Sequence, residues 1–167
     1  DVDRLQRISQ RFSKVGSKLT LEESSLNTTI ENSFNYIKDR SSKLIHFSIE
    51  LPHKELSCKL NPTLLSWTIE NLTKNAIDAM RGRGNLKISL FEDKNVYKIH
   101  VSDTGKGIPA SKFTTIFQPG YSTKERGWGL GLSLSRRIIE DYHKGKIRVL
   151  SSSADTGTVF EIRLPKT

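Results

Sequence analysis

Apolar residues recur at intervals of three and four along some stretches of the chain and alternate with polar residues along others. The first pattern predicts helices and the second predicts strands. Helices are predicted over 3–16, 26–43 and 130–145 and from the Asn61–Pro62 start, with one helical turn over 113–117. Strands are predicted over 45–51, 56–60, 85–92, 96–103, 146–152 and 158–165. Consecutive strands in this order are expected to pair as three hairpins. Residues 20–25 are predicted to form a polar link. This mixture favours an α+β sandwich.

Composition narrows the class of protein. The 167 residues suit one domain, with 35% hydrophobic and 27% charged residues. No apolar run has membrane-spanning length, no signal peptide opens the chain, and the lone Cys58 excludes an intrachain disulfide or a multi-cysteine zinc site. The net charge of +9 is scattered, without a nucleic-acid motif, so we expect a solvated basic surface and no nucleic-acid partner. Because the chain starts at Asp1 instead of Met, we expect a piece of a longer protein.

The helix that follows Asn61 carries an unusual polar face. Asn71, Asn75 and Asp78 share one side of it, although asparagine is a mediocre helix former. A neighbouring stripe is apolar and is predicted to face the core: Leu65, Ile69, Leu72, Ala76 and Met80. Amide oxygens suit a magnesium ion that takes its negative ligands from substrate phosphates. This polar face is therefore predicted to line a cleft. The alternative is an ordinary solvent-exposed helix face.

A glycine-bearing loop follows the strand over 96–103. Asp103 ends the strand, and Gly105 and Gly107 allow a sharp turn or a close ligand. A common polar turn would look the same. Gly105, Gly107 and Ala110 match the G-x-G-x-x-A spacing of dinucleotide-binding loops. A dinucleotide site is nevertheless not predicted, because Pro109 interrupts the motif and no parallel-sheet unit surrounds it. A Walker-type phosphate loop is absent from the sequence.

A second glycine cluster stands directly before the helix over 130–145. Gly127, Gly129 and Gly131 alternate there, and Lys124 and Arg126 precede them. Free backbone N–H groups at the start of a helix can bind phosphate. The alternative is that the glycines form only a flexible loop.

Taken together, these segments resemble the ATP-binding catalytic domain of sensor histidine kinases over roughly 25–165. The asparagine box is "NLTKNAIDAM", the two glycine boxes are "DTGKGIP" and "GWGLGLSL", and the phenylalanine box is "FTTIF". The resemblance implies a Bergerat-type ATP-binding fold. This is a two-layer α/β sandwich in which a mixed, mostly antiparallel sheet of about five strands is covered on one face by about three helices.

The resemblance also implies roles for individual residues. Asn75 would ligate Mg²⁺, Asn71 and Lys124 would be the catalytic residues at the phosphates, and Asp103 would accept from the adenine amino group. Residues 118–128 would form the ATP lid. The implied nucleotide-binding set is Asn71, Asn75, Asp78, Asp103, Gly105, Gly107, Ile108, Phe117, Tyr121, Ser122, Thr123, Lys124, Gly127, Gly129, Leu130, Gly131, Leu132 and Thr158.

Two positions depart from the family pattern. Asp78 stands where many members carry lysine, and Lys124 stands in place of an arginine after the phenylalanine box. None of the four histidines (His46, His53, His100 and His143) has the context of a phosphoacceptor, so we expect them at the surface or at edges. The fragment should therefore bind Mg-ATP without phosphorylating itself.

The resemblance predicts two segments and a set of partners. Residues 1–20 would be the end of a dimerisation and phosphoacceptor helix pair, and 21–167 the catalytic domain. The domain would be cytoplasmic, in a homodimeric parent with or without a membrane anchor, and a response regulator receiver domain would accept the phosphoryl group. An ATP hydrolase of the same fold and a non-catalytic nucleotide-binding module are the alternatives. Hydrolysing relatives carry a glutamate at the position of Asn71, and Glu70 points about 100° away from it.

Overall fold

The computed structural model describes residues 20–121 and 131–166. The elements in chain order are β1 (Glu22–Ser25), α1 (Leu26–Asp39), β2 (Ile45–Glu50), β3 (Ser57–Leu60), α2 (Pro62–Ala79), β4 (Gly84–Glu92), β5 (Val96–Asp103), short 3₁₀ turns over Ala110–Lys112 and Thr115–Phe117, α3 (Gly131–Arg136), a π-helical extension over Arg137–Tyr142, β6 (Lys146–Ser153) and β7 (Gly157–Pro165). The predicted α+β class is confirmed.

Five strands form the main sheet in the order β2-β4-β5-β7-β6. β4, β5, β7 and β6 pair antiparallel, whereas β2 pairs with β4 in parallel. The crossover between β2 and β4 carries β3 and α2, which places α2 against the sheet. Alternate residues of β5 are buried, as expected for a sheet that packs helices on one face. The predicted mixed, mostly antiparallel five-stranded sheet is confirmed.

The predicted hairpin between 45–51 and 56–60 is wrong. β3 instead pairs antiparallel with β1, from Glu22 opposite Leu60 to Ser25 opposite Ser57. All four residues of β1 are polar and give no alternating pattern, which is why the sequence predicts a link there. Backbone pairing holds this short strand, and the Asn27 amide ties the start of α1 to the 52–56 loop by accepting from Leu56 N at 3.0 Å.

The asparagine helix α2 begins as the sequence predicts. Asn61 is the N-cap, its side chain accepts from Leu64 N at 3.0 Å, and Pro62 occupies the first turn. The predicted apolar stripe is buried throughout, with exposures from 0% at Leu65 to 7% at Met80. Burial of this stripe fixes the rotation of α2, so its polar face must point away from the core.

Candidate nucleotide site

Asp103 ends β5 inside the sandwich, at 5% exposure. Its Oδ1 accepts from the backbone N–H of Gly105 at 2.7 Å and of Thr158 at 3.3 Å. Burial raises the pKa of this carboxyl, and the two backbone hydrogen bonds oppose that rise without cancelling it. Within residues 20–121 and 131–166, Oδ2 receives no comparable hydrogen bond. Asp103 is thus a fixed, buried acceptor that can read a donor on a ligand.

The loop after Asp103 packs against the end of α2. A Cβ atom on Gly105 would lie 2.7 Å from the carbonyl carbon of Ala79, whose oxygen accepts from Lys106 N at 3.2 Å. Gly107 has φ +82°, and a Cβ there would lie 2.6 Å from Ser153 O. These contacts hold the loop between α2 and the β6–β7 turn, so both glycines set its path.

A chain of hydrogen bonds joins this loop to β6 and β7. Ile108 N donates to Ser152 Oγ at 2.7 Å, and that hydroxyl shares a hydrogen bond with Thr158 Oγ1, also at 2.7 Å. Thr158 is 2% exposed, and its N–H closes the chain on Asp103. Asp103, Gly105, Ile108 and Thr158 of the predicted set therefore form one connected unit.

Asn71 lies on the half-buried side of α2, facing the start of α3. Its Nδ2 donates to Ser135 Oγ at 3.1 Å, and Ser135 Oγ donates to Gly131 O at 2.8 Å. A Cβ on Gly131 would lie 2.9 Å from Asn71 Oδ1. The asparagine box and the last glycine of the second glycine box are therefore in direct contact.

Residues 61–167 match the family described as histidine kinase-, DNA gyrase B- and HSP90-like ATPases. The chain belongs to this family. Sensor histidine kinase ZraS of Escherichia coli (strain K12) is 32% identical over 168 residues, which span 99% of this chain and 36% of ZraS. The catalytic domain of histidine kinase ThkA is 33% identical with a TM-score of 0.79, over 88% of this chain and 96% of that one. ThkA in complex with response regulator protein TrrA matches 99% of this chain and 48% of that one, at 30% identity and a TM-score of 0.78.

Within this ATPase family the chain is a catalytic domain of the histidine kinase type. It spans about a third of the length of ZraS, at 36%. The family is an ATP-binding one, which agrees with the nucleotide prediction from the glycine and asparagine boxes. The match extends over α2, both glycine boxes and β7, and it includes the residues whose contacts with Asp103 and Asn71 are described above.

The other predicted residues on α2 have different exposures. Asn75 is half-buried one turn after Asn71, and Asp78 is exposed near the end of the helix. Glu70 is buried at 4% exposure, on a different side of α2 from Asn71. Among the described residues, no group of three or more His, Cys, Asp and Glu side chains could hold a metal ion. On this face of α2, the side chains with an oxygen atom that suits Mg²⁺ are the amides of Asn71 and Asn75 and the carboxylate of Asp78.

The end of the phenylalanine box, Ile116 and Phe117, lies in the core. Phe117 is 5% exposed and packs edge-to-face on Phe160 of β7, with ring centroids 6.2 Å apart. Tyr121 is exposed, and Lys112 Nζ lies 5.9 Å from its ring centroid. Leu132 is half-buried against the core. Phe117 therefore anchors the segment that leads towards the predicted lid. The predicted residues Ser122, Thr123, Lys124, Gly127, Gly129 and Leu130 lie outside the described residues.

The expectation that all four histidines lie at the surface or at edges is wrong for His143. His143 is 2% exposed, with Nδ1 2.8 Å from Ile138 O and Nε2 accepting from Asn61 N at 3.0 Å. His46 and His53 are exposed, and His100 pairs with Glu161 at 2.8 Å. The position of His143 before "KG" indicated a helix end and gave no signal of burial, because its partner lies 82 residues away.

Ser135 and Ser152 were also absent from the predicted set. Each contacts a predicted residue directly, Ser135 through Asn71 and Ser152 through Ile108 and Thr158. Single serines in a helix and a strand are common, and only the tertiary contacts distinguish these two.

Within the described residues, no helix combines the length and the apolar character needed to cross a membrane.

Proposed function

We propose that this domain binds Mg-ATP and donates the γ-phosphoryl group to a histidine on a helix pair of its parent protein. The observation that supports the proposal best is the buried Asp103 carboxylate, whose Oδ1 is held by two backbone N–H groups in a histidine kinase-type domain. Its Oδ2 would accept from the exocyclic amino group of adenine. Gly105, Gly107 and Ile108 would then form the wall of the base pocket.

Asn71 and Asn75 would serve the phosphates. Both project from α2 on the side away from the buried stripe, four residues and therefore about one turn apart. A bound Mg²⁺ supplies charge neutralisation for the phosphate oxygens, and Asn75 would hold it through a neutral amide oxygen. Asn71 would donate an amide N–H to a phosphate oxygen. Lys124 would add a cation from the predicted lid.

In this proposal the domain promotes phosphoryl transfer by positioning the reactants, and none of its own side chains forms a covalent bond to the phosphoryl group. The acceptor imidazole nitrogen forms a bond to the γ-phosphorus as the bond from that phosphorus to the β,γ-bridging oxygen breaks, and ADP leaves with the electron pair. The domain's own residues hold the base and the triphosphate so that the γ-phosphoryl group faces the acceptor. Residues 1–20 are proposed to be the end of the helix pair that brings the acceptor, in a homodimeric parent.

A response regulator receiver domain is the proposed next acceptor. The similarity to ThkA, whose structure contains response regulator protein TrrA, supports this partner class. A hydrolase role is less well supported, because Asn71 cannot accept a proton from water and Glu70 is buried elsewhere on α2. The similarity to proteins named as kinases also weighs against a non-catalytic module.

Mixing the domain with ATP, Mg²⁺ and a separately made acceptor helix pair tests the proposal. We expect acid-labile, base-stable phosphate on the helix pair and none on the domain alone. Asp103→Asn and Asn75→Ala should each slow the labelling, whereas Asp39→Asn, at the exposed end of α1, should not. Free phosphate released at the same rate with and without the helix pair would contradict the proposal and favour a hydrolase.

A further inference from the structure

The hydroxyl of Ser135 lies in the core between α2 and α3 and contacts a proposed phosphate-binding side chain. Ser135 is 0% exposed. Its Oγ donates to Gly131 O at 2.8 Å, one helical turn back, and lies 3.1 Å from Asn71 Nδ2. Buried helical serines often bond the carbonyl four residues earlier. Contact with a second polar side chain distinguishes Ser135 from such a residue.

The hydrogen count fixes which end of the Asn71 amide faces Ser135. A serine hydroxyl has one hydrogen, and that of Ser135 is committed to Gly131 O. Towards Asn71 the hydroxyl can therefore only accept, so the facing atom must be the donor Nδ2. A flipped amide would bring two acceptors together in a buried place, which is unfavourable.

Gly131 restricts the same amide from another side. A Cβ at Gly131 would lie 2.9 Å from Asn71 Oδ1 and 3.2 Å from Nδ2, so the backbone of α3 lies close against the amide group. Gly131 and Ser135 together restrict the side chain of Asn71 to one orientation. Such pre-organisation lowers the cost of ordering a binding group.

We propose that Ser135 is a positioning residue that sets the orientation of the Asn71 amide for the nucleotide phosphates. The inference rests on the proposed function, in which Asn71 donates to a phosphate oxygen. With one N–H of Nδ2 given to Ser135, the second N–H is the one presented to phosphate. Ser135 acts only through Asn71, and it leaves the base pocket around Asp103 unchanged.

A double-mutant cycle tests this assignment. Ser135→Ala, Asn71→Ala and the double variant are compared for Mg-ATP affinity by calorimetry and for phosphoryl transfer to a separate acceptor helix pair. Ser33→Ala is the matched control, because Ser33 is 1% exposed, donates to Thr29 O at 3.0 Å and lies on α1. Ser135→Cys, which keeps nearly the same volume but is a weak acceptor, provides a second variant should Ser135→Ala fold poorly.

We expect Ser135→Ala to weaken Mg-ATP binding by about threefold to tenfold, the worth of one hydrogen bond. In the Asn71→Ala background the same change should have no further effect, and the preference for ATP over GTP should stay the same. Equal losses in both backgrounds, or a loss that Ser33→Ala reproduces, would overturn the inference.

The cycle also separates this inference from the proposed function. If Asn71→Ala weakens binding and transfer but Ser135→Ala and Ser135→Cys do not, the positioning role is wrong and the proposed function stands. If Asn71→Ala itself changes neither quantity, the phosphate role of Asn71 is wrong, and the inference about Ser135 is overturned with it.

Discussion

The Nε2 atom of His143 accepts a hydrogen bond from the backbone N–H of Asn61 at 3.0 Å. Because Nε2 accepts, the proton of the neutral ring must be on Nδ1, which donates to Ile138 O at 2.8 Å. Asn61 caps α2, and His143 directly follows the π-helical extension of α3. One imidazole therefore links the start of the asparagine helix to the end of the helix that follows the second glycine box.

This link predicts a pH-dependent stability. Burial lowers the pKa of His143, and the hydrogen bond to Ile138 opposes that effect only in part. Below about pH 6.5 the unfolded chain binds a proton that the folded His143 resists. The stability that comes from the neutral ring is therefore complete above that pH and is lost as the pH falls through the lowered folded pKa.

We expect the free energy of unfolding to fall between pH 7.5 and pH 5.5, measured by urea titration. His143→Gln should make the free energy of unfolding less dependent on pH. It should also lower that free energy by about 1–3 kcal/mol at pH 7.5, because the buried hydrogen bonds of the imidazole are lost. His53→Gln, at an exposed position, is the control and should leave both quantities unchanged. A variant lacking His143 that retains the full pH dependence would contradict this assignment.

A second prediction concerns the first glycine box. Gly107 and Gly82 have similar φ values, +82° and +77°, but a Cβ would meet Ser153 O at 2.6 Å on Gly107 and nothing within 4 Å on Gly82. Alanine at either position costs about 1–2 kcal/mol from the left-handed backbone. Gly107→Ala should cost about 1–3 kcal/mol more from overpacking, and it should weaken ATP binding. Equal melting temperatures for the two variants would show that Ser153 does not constrain the loop.

The sequence could predict those parts of the fold that local pattern determines. The cap at Asn61, the apolar stripe of α2 and the hairpins β4–β5 and β6–β7 each follow from residues close together in the chain. The pairing of β1 with β3 could not be predicted, because β1 is short and entirely polar and its partner lies 35 or so residues away.

The same distinction applies to the site. Asp103 and Gly107 stand in a recognisable glycine-bearing loop, so the sequence alone could single out this loop as a candidate. Ser135 and His143 gain their roles from contacts with Asn71 and Asn61, which are 64 and 82 residues away in sequence. A single buried serine or histidine has the same local pattern whether or not such a partner exists.

A third prediction separates metal binding from helix stability. Asn75→Ala should weaken ATP binding by about tenfold when Mg²⁺ is present and by much less without it, because the amide oxygen is the proposed ligand. Alanine favours helix, so α2 itself should not suffer. Calorimetric titrations with Mg²⁺ and with EDTA make the comparison, and Asn35→Ala on the exposed side of α1 is the control. The same loss under both conditions would remove Asn75 as a metal ligand.

Asp103 is the proposed adenine-recognition residue, and competition between ATP and GTP tests this role most directly. Guanine has a carbonyl oxygen where adenine has the amino group, so a buried carboxylate would meet another acceptor. That mismatch costs about 1–3 kcal/mol, which is about tenfold or more in affinity. We predict that the unmodified domain prefers ATP by at least this factor against one fluorescent nucleotide analogue. Asp103→Asn should weaken ATP and narrow the gap, because an amide can also donate, whereas Asp39→Asn should not. An unchanged ATP affinity and an unchanged preference in Asp103→Asn would contradict the account.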